Sequence, residues 1–350
     1  MAPELDGART LPAVGIALPV DQGCTATDVR SMAAAVEEAG FDVVSVGEVA
    51  GVELFSTLAA IASATTSIRI LGAVLPMVSR SPALAAMGIA SVADLADGRF
   101  VAGIGASSPT MAHWHGRPMG RPAADLERYV ADVRTALSGG ALTGDGFGPA
   151  FRLQRPPVDV PVLLAAIGPR MLQLAGRVGD GVLLSLCPTA EVADRRAAVD
   201  RGRAASTRPA RPFEVVSTAI PVSIGGEDDH LRVRRYLLPY AMASSHRAGF
   251  RTVVANIDDV AARWEAGDRR GALERFDVGV VDAFGATTAA DAIERCVSDA
   301  RAGTDTVVLN PLRPVAGDLD AVARVIKEIG AELLHQRRAG AAEGSGHDGA

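Results

Sequence analysis

Lysine is almost missing from this 350-residue chain: of 35 basic residues, Lys327 alone is a lysine. No lysine follows a glycine-rich loop, which excludes a Walker-type phosphate cradle. A Schiff-base mechanism would rest on Lys327, which reads as part of a solvated helix face. Cysteine is scarce as well. Cys24, Cys187 and Cys296 are widely separated and outside any CxxC spacing. That pattern argues against a disulfide frame or a zinc site and for reduced thiols in a cytoplasmic protein. No charge-free apolar run reaches the roughly 18 residues of a membrane span. The opening "MAPELDGARTLP" has acids and a proline where a secretion signal needs a basic start and an apolar stretch. A formal net charge of −6 offers nothing to nucleic acid or to an anionic membrane.

What is present is a large apolar fraction, 48% of residues against 22% charged, enough for a substantial buried core. Apolar runs too short for helices alternate with segments of helical period. "AVGIALP", "FDVVSVG", "IRILGAVLP", "RFVAGIG", "VPVLLAAIG", "DGVLLSL", "FEVVSTAIPVSI" and "TDTVVLNPL" read as eight strands, each followed by a helix. Strands this apolar, linked through helices, belong in a covered parallel sheet. Eight such units predict a (β/α)8 TIM barrel of the α/β class, with a helical insertion after strand 7 at about 226–285. An open doubly wound sheet is the rival, but no spacer separates two halves. A single domain is expected over 10–336, followed by a disordered tail at 337–350.

In such a barrel the chemistry sits where strands end. "GIGASSPTMAHWHGRP" (103–118) leaves the fourth strand through Gly-x-Gly, but Ser108 stands where a dinucleotide fingerprint needs its third glycine, and no helix is expected before Pro122. His113 and His115 sit at i and i+2 with no carboxylate or cysteine at ligand spacing, so a pocket-lining loop is favoured over a metal site. In "LLAAIGPRMLQLAG" a strand runs into Gly168-Pro169 and a helix opens on proline. Its free N–H groups suit an anion, with Arg170 beside them; an ordinary turn is the plain alternative. Gly72 and Pro76 inside one apolar run suggest a bulged strand exit, or simply a strand that stops at Leu75. Glu48 ends the second strand at the rim, either as a functional acid or as a cap.

Together and in this order, "GFDVVSVGEVAG", "IRILGAVLPMVSRSPALAAM", "GRFVAGIGASSPTMAHWHGRP", "PVLLAAIGPRMLQLAGRVGDGVLLS" and "TDTVVLNPL" resemble the luciferase-like monooxygenase superfamily. Within it they are most similar to the coenzyme F420-dependent oxidoreductases of the methylenetetrahydromethanopterin reductase-like branch. The resemblance implies a non-proline cis peptide at Ala73–Val74 behind the deazaflavin ring, with Pro76 against it. It implies Glu48 as an acid on the cofactor, Ala106 and Ser107 close to the ring, and Ile167, Gly168, Arg170 and Met171 around the phosphate-bearing chain. It also implies a homodimer. Sugar-phosphate dehydrogenases of the family carry a histidine and a glutamate where this chain has Val49 and Ser108. The expectation is therefore a reductase, moving hydride from F420H2 to a C=C or C=N bond of a small organic substrate beneath the His113–Trp114 loop. Glu48, His113 or water would supply the proton, and no metal takes part. The alternatives are an FMNH2-dependent monooxygenase of the same superfamily, or a barrel that only binds a ligand.

Overall fold

The computed structural model describes residues 11–20, 23–144, 150–313 and 318–345. Eight strands close into one barrel with every neighbour parallel: β1 (Ala13–Ala17), β2 (Val43–Val46), β3 (Arg69–Pro76), β4 (Phe100–Gly105), β5 (Val162–Ala165), β6 (Gly181–Ser185), β7 (Glu214–Val222) and β8 (Thr306–Pro311). The barrel seals where β1 pairs with β8, Ala13 opposite Thr306. The expected (β/α)8 fold is borne out. Helices cover its outside, and several start on side-chain caps that the sequence supplies. Thr25 and Asp28 form a reciprocal capping box, while Ser81 and Thr288 accept the N–H of Leu84 and Asp291.

Alternation along each strand sorts its side chains between two surroundings. Val14, Ile16, Val44, Val46, Ile70 and Ile104 face the surrounding helices in the main core. Val43, Leu71, Val101, Leu163, Leu183, Val216 and Val308 face inward and form a separate buried layer that fills the barrel. Below it, Arg69 and Glu214 form a two-pronged ion pair, and the Thr306 hydroxyl donates to Glu214 at 2.6 Å. With its middle and floor filled, the barrel is open to ligands only at the C-terminal mouth.

The insertion after β7 carries five short helices, from Asp229–Met242 to Val280–Phe284, around a core of its own. Phe250 stacks on Phe284 with ring centroids 4.3 Å apart, and Phe276 tilts against Phe250.

Two local expectations change. Residues after β4 form a short helix, Pro109–Trp114, because Ser108 caps it and Pro109 opens it. The last helix runs from Leu319 to Ser345, through most of the stretch read as a tail. Alanine-rich sequence favours that continuation, and Arg337 anchors it by bonding to the Gly40 carbonyl and pairing with Asp42. Residues 346–350 lie outside the described residues.

Candidate active site at the barrel mouth

Above the filled layer, the inward positions become small. Ala17, Gly47, Ala73, Gly105 and Ala165 come from β1 to β5, and all but Gly105 are partly open at the mouth. Ala17, Ala73, Val74 and Ala165 rest directly on the filled layer. Continuing the alternation, Ser185, Thr218 and Asn310 carry the polar groups on the β6 to β8 side. The insertion reaches this side too: the Asn310 amide donates to the Tyr236 hydroxyl at 2.9 Å. The result is an apolar half-floor of small residues facing a polar half, which suits a flat ring with one heteroatom-rich edge.

The wall of the apolar half is the β3 exit. The Ala73–Val74 bond is cis, and the β3–β4 register slips between Gly72 and Leu75. The expected bulge is therefore present, and its neighbours are shaped to fit it. A Cβ on Gly47 would stand 2.5 Å from the Ala73 carbonyl oxygen, and one on Gly103 would stand 2.4 Å from that of Gly72. The Met77 N–H donates to the Gly105 carbonyl at 2.9 Å, tying the far end of the bulge to β4. Pro76 lies in this segment, buried, and needs no N–H there.

Glu48 follows β2 at 9% exposure. Its Oε1 accepts from Arg80 Nη1 at 2.8 Å and its Oε2 from Arg80 Nη2 at 2.6 Å. The Leu54 N–H, at the start of the helix Leu54–Ala64, donates to Oε2 at 2.9 Å. Burial opposes the charge, but the Arg80 bonds and the Leu54 N–H outweigh it and hold the carboxyl below the usual range. Arg80 also pairs with Glu53, bonds to Ser79 Oγ and lies 5.0 Å from the Phe55 ring centre. A carboxylate engaged in this way is a weaker proton source than a free one, and its bonds tie Glu48 to Arg80 and to the start of the next helix.

At the β4 exit, Ala106 and Ser107 are partly exposed. Ser107 has φ 74°, and its Oγ is buried with no hydrogen-bond partner among the described residues. Such an orphaned hydroxyl fits a ligand that brings its own polar edge. Ser108 points away to cap its helix, accepting the Met111 N–H at 3.3 Å. His113 and Trp114 are exposed at the end of that helix. Among the described residues no hydrogen bond orients the His113 ring.

The helix Pro169–Val178 follows β5 with Gly168 at its N-cap and no side-chain cap. The Leu172 N–H reaches the Gly168 carbonyl, which leaves the N–H groups of Arg170 and Met171 without intrahelical acceptors. A Cβ on Gly168 would meet nothing within 4 Å, so space is open over this end. Ile167 is half-buried and Arg170 exposed beside it. The helix dipole and the free N–H groups make this end suited to an anion, with the exposed Arg170 in its first turn. Gly105 links it to the bulge, since a Cβ there would touch both Val74 and Ala165.

Arg80 and Tyr236 were not among the residues the sequence singled out. Each acts through a partner far away along the chain, and no local pattern signals that pairing. Among the described residues no group of three His, Cys, Asp or Glu side chains could hold a metal ion. The three cysteines are free thiols; burial pushes Cys187 up to about 12.

Comparison with known proteins identifies relatives of the whole barrel. A 5,10-methylenetetrahydromethanopterin reductase of Archaeoglobus fulgidus is 28% identical over 294 residues, covering 80% of this chain and 86% of the relative. A protein of Mycobacterium tuberculosis named as a coenzyme F420-dependent oxidoreductase is 30% identical over 208 residues, 54% of this chain and 60% of its own length. The solved coenzyme F420-dependent tetrahydromethanopterin reductase of Methanopyrus kandleri superposes with a TM-score of 0.73 at 19% identity, over 92% of this chain and 98% of that one. The model of the luciferase-like monooxygenase family matches residues 11–306, and the chain belongs to that family.

Proposed function

We propose that this protein is an F420-dependent reductase acting on a C=C or C=N bond of a small organic substrate. The observation that carries the reading is the line formed by the Gly47–Ala73–Val74–Pro76 wall, the orphaned Ser107 hydroxyl and the open helix end at Gly168. That line offers a flat apolar seat, one polar contact and an anion site in succession. A deazaflavin with a phosphate-bearing side chain has the same sequence of groups.

Ala73, Val74 and Pro76 back the ring, while Ala106 and Ser107 meet its edge. Ile167, Gly168, Arg170 and Met171 hold the phosphate. The bound cofactor supplies the hydride; the chain orients it and the substrate and keeps bulk water from the face between them. Glu48 fixes Arg80 and the loop beyond the bulge, and the proton comes from solvent or from His113. Reduction is favoured over sugar-phosphate oxidation because the histidine and glutamate that the family resemblance assigns to that oxidation are Val49 and Ser108 in this chain. Glu48 is engaged, Ser108 is a helix cap, and Val49 is a 64% exposed hydrocarbon.

No described helix is long and apolar enough to cross a membrane, and three free cysteines outside any disulfide spacing favour a reducing compartment, the cytoplasm. Leu84, Met87 and Leu95 stand exposed along one side of the helix Pro82–Ala96. We assign that face to a homodimer contact, which light scattering of the purified protein tests.

The chemical test is anaerobic. F420H2 should be oxidised on adding activated enones or cyclic imines, one hydride and one proton being added per double bond reduced. Turnover that requires FMNH2 and oxygen would make the protein a monooxygenase instead, and cofactor binding with no turnover of either kind would make it a ligand-binding barrel.

A further inference from the structure

A second cavity, of about 270 Å³, lies outside the barrel wall beside the β3 exit. Met77 and Val78 form one side, Pro82 another, and the segment Arg117–Gly120 a third. Asp125, Arg128, Tyr129 and Asp132 close it from the helix Pro122–Leu137. Their spacing of three and four residues puts them on one helix face.

Most of these groups are accounted for. Arg128 pairs with Asp125 at 2.7 Å, and Met77, Val78, Pro82 and Met119 offer hydrocarbon. Tyr129 is the exception. It is 7% exposed, and its hydroxyl has no hydrogen-bond partner among the described residues. Burial pushes its ionisation up, against the pull of Arg80 and Arg117, so the phenol keeps its proton and remains a donor. A buried phenol without an acceptor forfeits free energy that a ligand could restore. Arg117 stands nearby as an exposed cation whose side chain makes one hydrogen bond among the described residues, a long 3.4 Å contact to the Arg80 carbonyl. Burial raises the Asp132 carboxyl and the nearby Arg128 charge lowers it.

We propose that this cavity binds a small apolar carboxylate, its oxygens accepting from the Tyr129 hydroxyl and facing Arg117, its hydrocarbon on Met77, Val78, Pro82 and Met119. At ~30 Å³ per water molecule the space equals roughly nine waters, enough for a short branched or aromatic acid. The proposal rests on this lining and stands whether or not the protein binds F420.

Calorimetric titration with isovalerate and with benzoate tests it, with isoamylamine as the charge-reversed probe. The wild-type protein should bind at least one acid saturably and ignore the amine. Tyr129→Phe and Arg117→Gln should each weaken the acid about tenfold or more, the loss of one charge-assisted hydrogen bond. Because the phenol has no partner among the described residues, Tyr129→Phe should melt no lower than wild type. No saturable binding of either acid below ~10 mM, binding that survives both substitutions, preference for the amine, or a clearly lower Tm for Tyr129→Phe would overturn the assignment.

Discussion

Glu48 and Arg80 join the end of β2 to the loop beyond the β3 bulge through two parallel hydrogen bonds of 2.8 and 2.6 Å, with both side chains more than nine-tenths buried. The pair supports the wall on which the proposed ring rests. Its strength comes from geometry: two N–H groups of a planar guanidinium meet two carboxylate oxygens, and a backbone N–H completes the set.

Breaking one side of this pair should cost far more than removing both. Arg80→Met leaves a buried carboxylate without its counter-charge and should lose ~3–5 kcal/mol of stability in urea denaturation. The double variant Glu48→Leu/Arg80→Met should lose less than that single change. The sign with pH follows from the lowered Glu48 pKa. Its stabilisation is present above the ordinary carboxylate pKa and is lost as pH falls through the lowered native value. The double variant should therefore melt with a shallower acid dependence than wild type.

Gly47 should tolerate no side chain. Its Cβ would meet a backbone carbonyl oxygen at 2.5 Å, and neither β2 nor the bulge can yield without disturbing the barrel. Gly47→Ala should lower Tm and weaken cofactor binding together, read by thermal melting and fluorescence titration of the same preparation.

Gly168 is the opposite case. Its Cβ would meet nothing within 4 Å, so Gly168→Ala should be silent in both assays. Gly168→Asp should leave Tm within error and weaken F420 about tenfold or more, because it sets a negative charge at the helix N-terminus where the phosphate is proposed to sit.

Sequence carried the barrel because strand burial and helix spacing are local patterns. β1 to β8 all lie within the runs that read as strands. The bulge was legible as well, since Gly72 and Pro76 each break a strand rule. Roles set by distant partners were hidden. Glu48 reads as a rim acid until Arg80, thirty-two residues on, occupies both of its oxygens. Ser108 and Pro109 are standard helix-start residues, yet the segment read as a loop because the helix they open ends at Trp114. The last helix was cut short for a related reason: alanine and glycine suggest disorder until Arg337 fastens the segment to the barrel end.

His246 should make the insertion acid-sensitive. It is half-buried beside Tyr240, with Nδ1 at 3.0 Å from Ser245 Oγ. Burial first, and then the charge of Arg195, lower its pKa to about 4. As pH falls below the ordinary histidine value, the unfolded chain takes up a proton that the native ring refuses. Stability should therefore drop between about pH 6.5 and 4, by at most ~1.4 kcal/mol per pH unit. His246→Gln should flatten that part of the stability–pH curve.

The central claim is that the mouth seats a deazaflavin. Fluorescence titration of the purified protein with oxidised F420, beside a parallel titration with FMN, tests it most directly. The account predicts saturable quenching by F420 at micromolar concentration, weakened by Gly168→Asp, with FMN much weaker. Tight binding of FMN and none of F420 would contradict it.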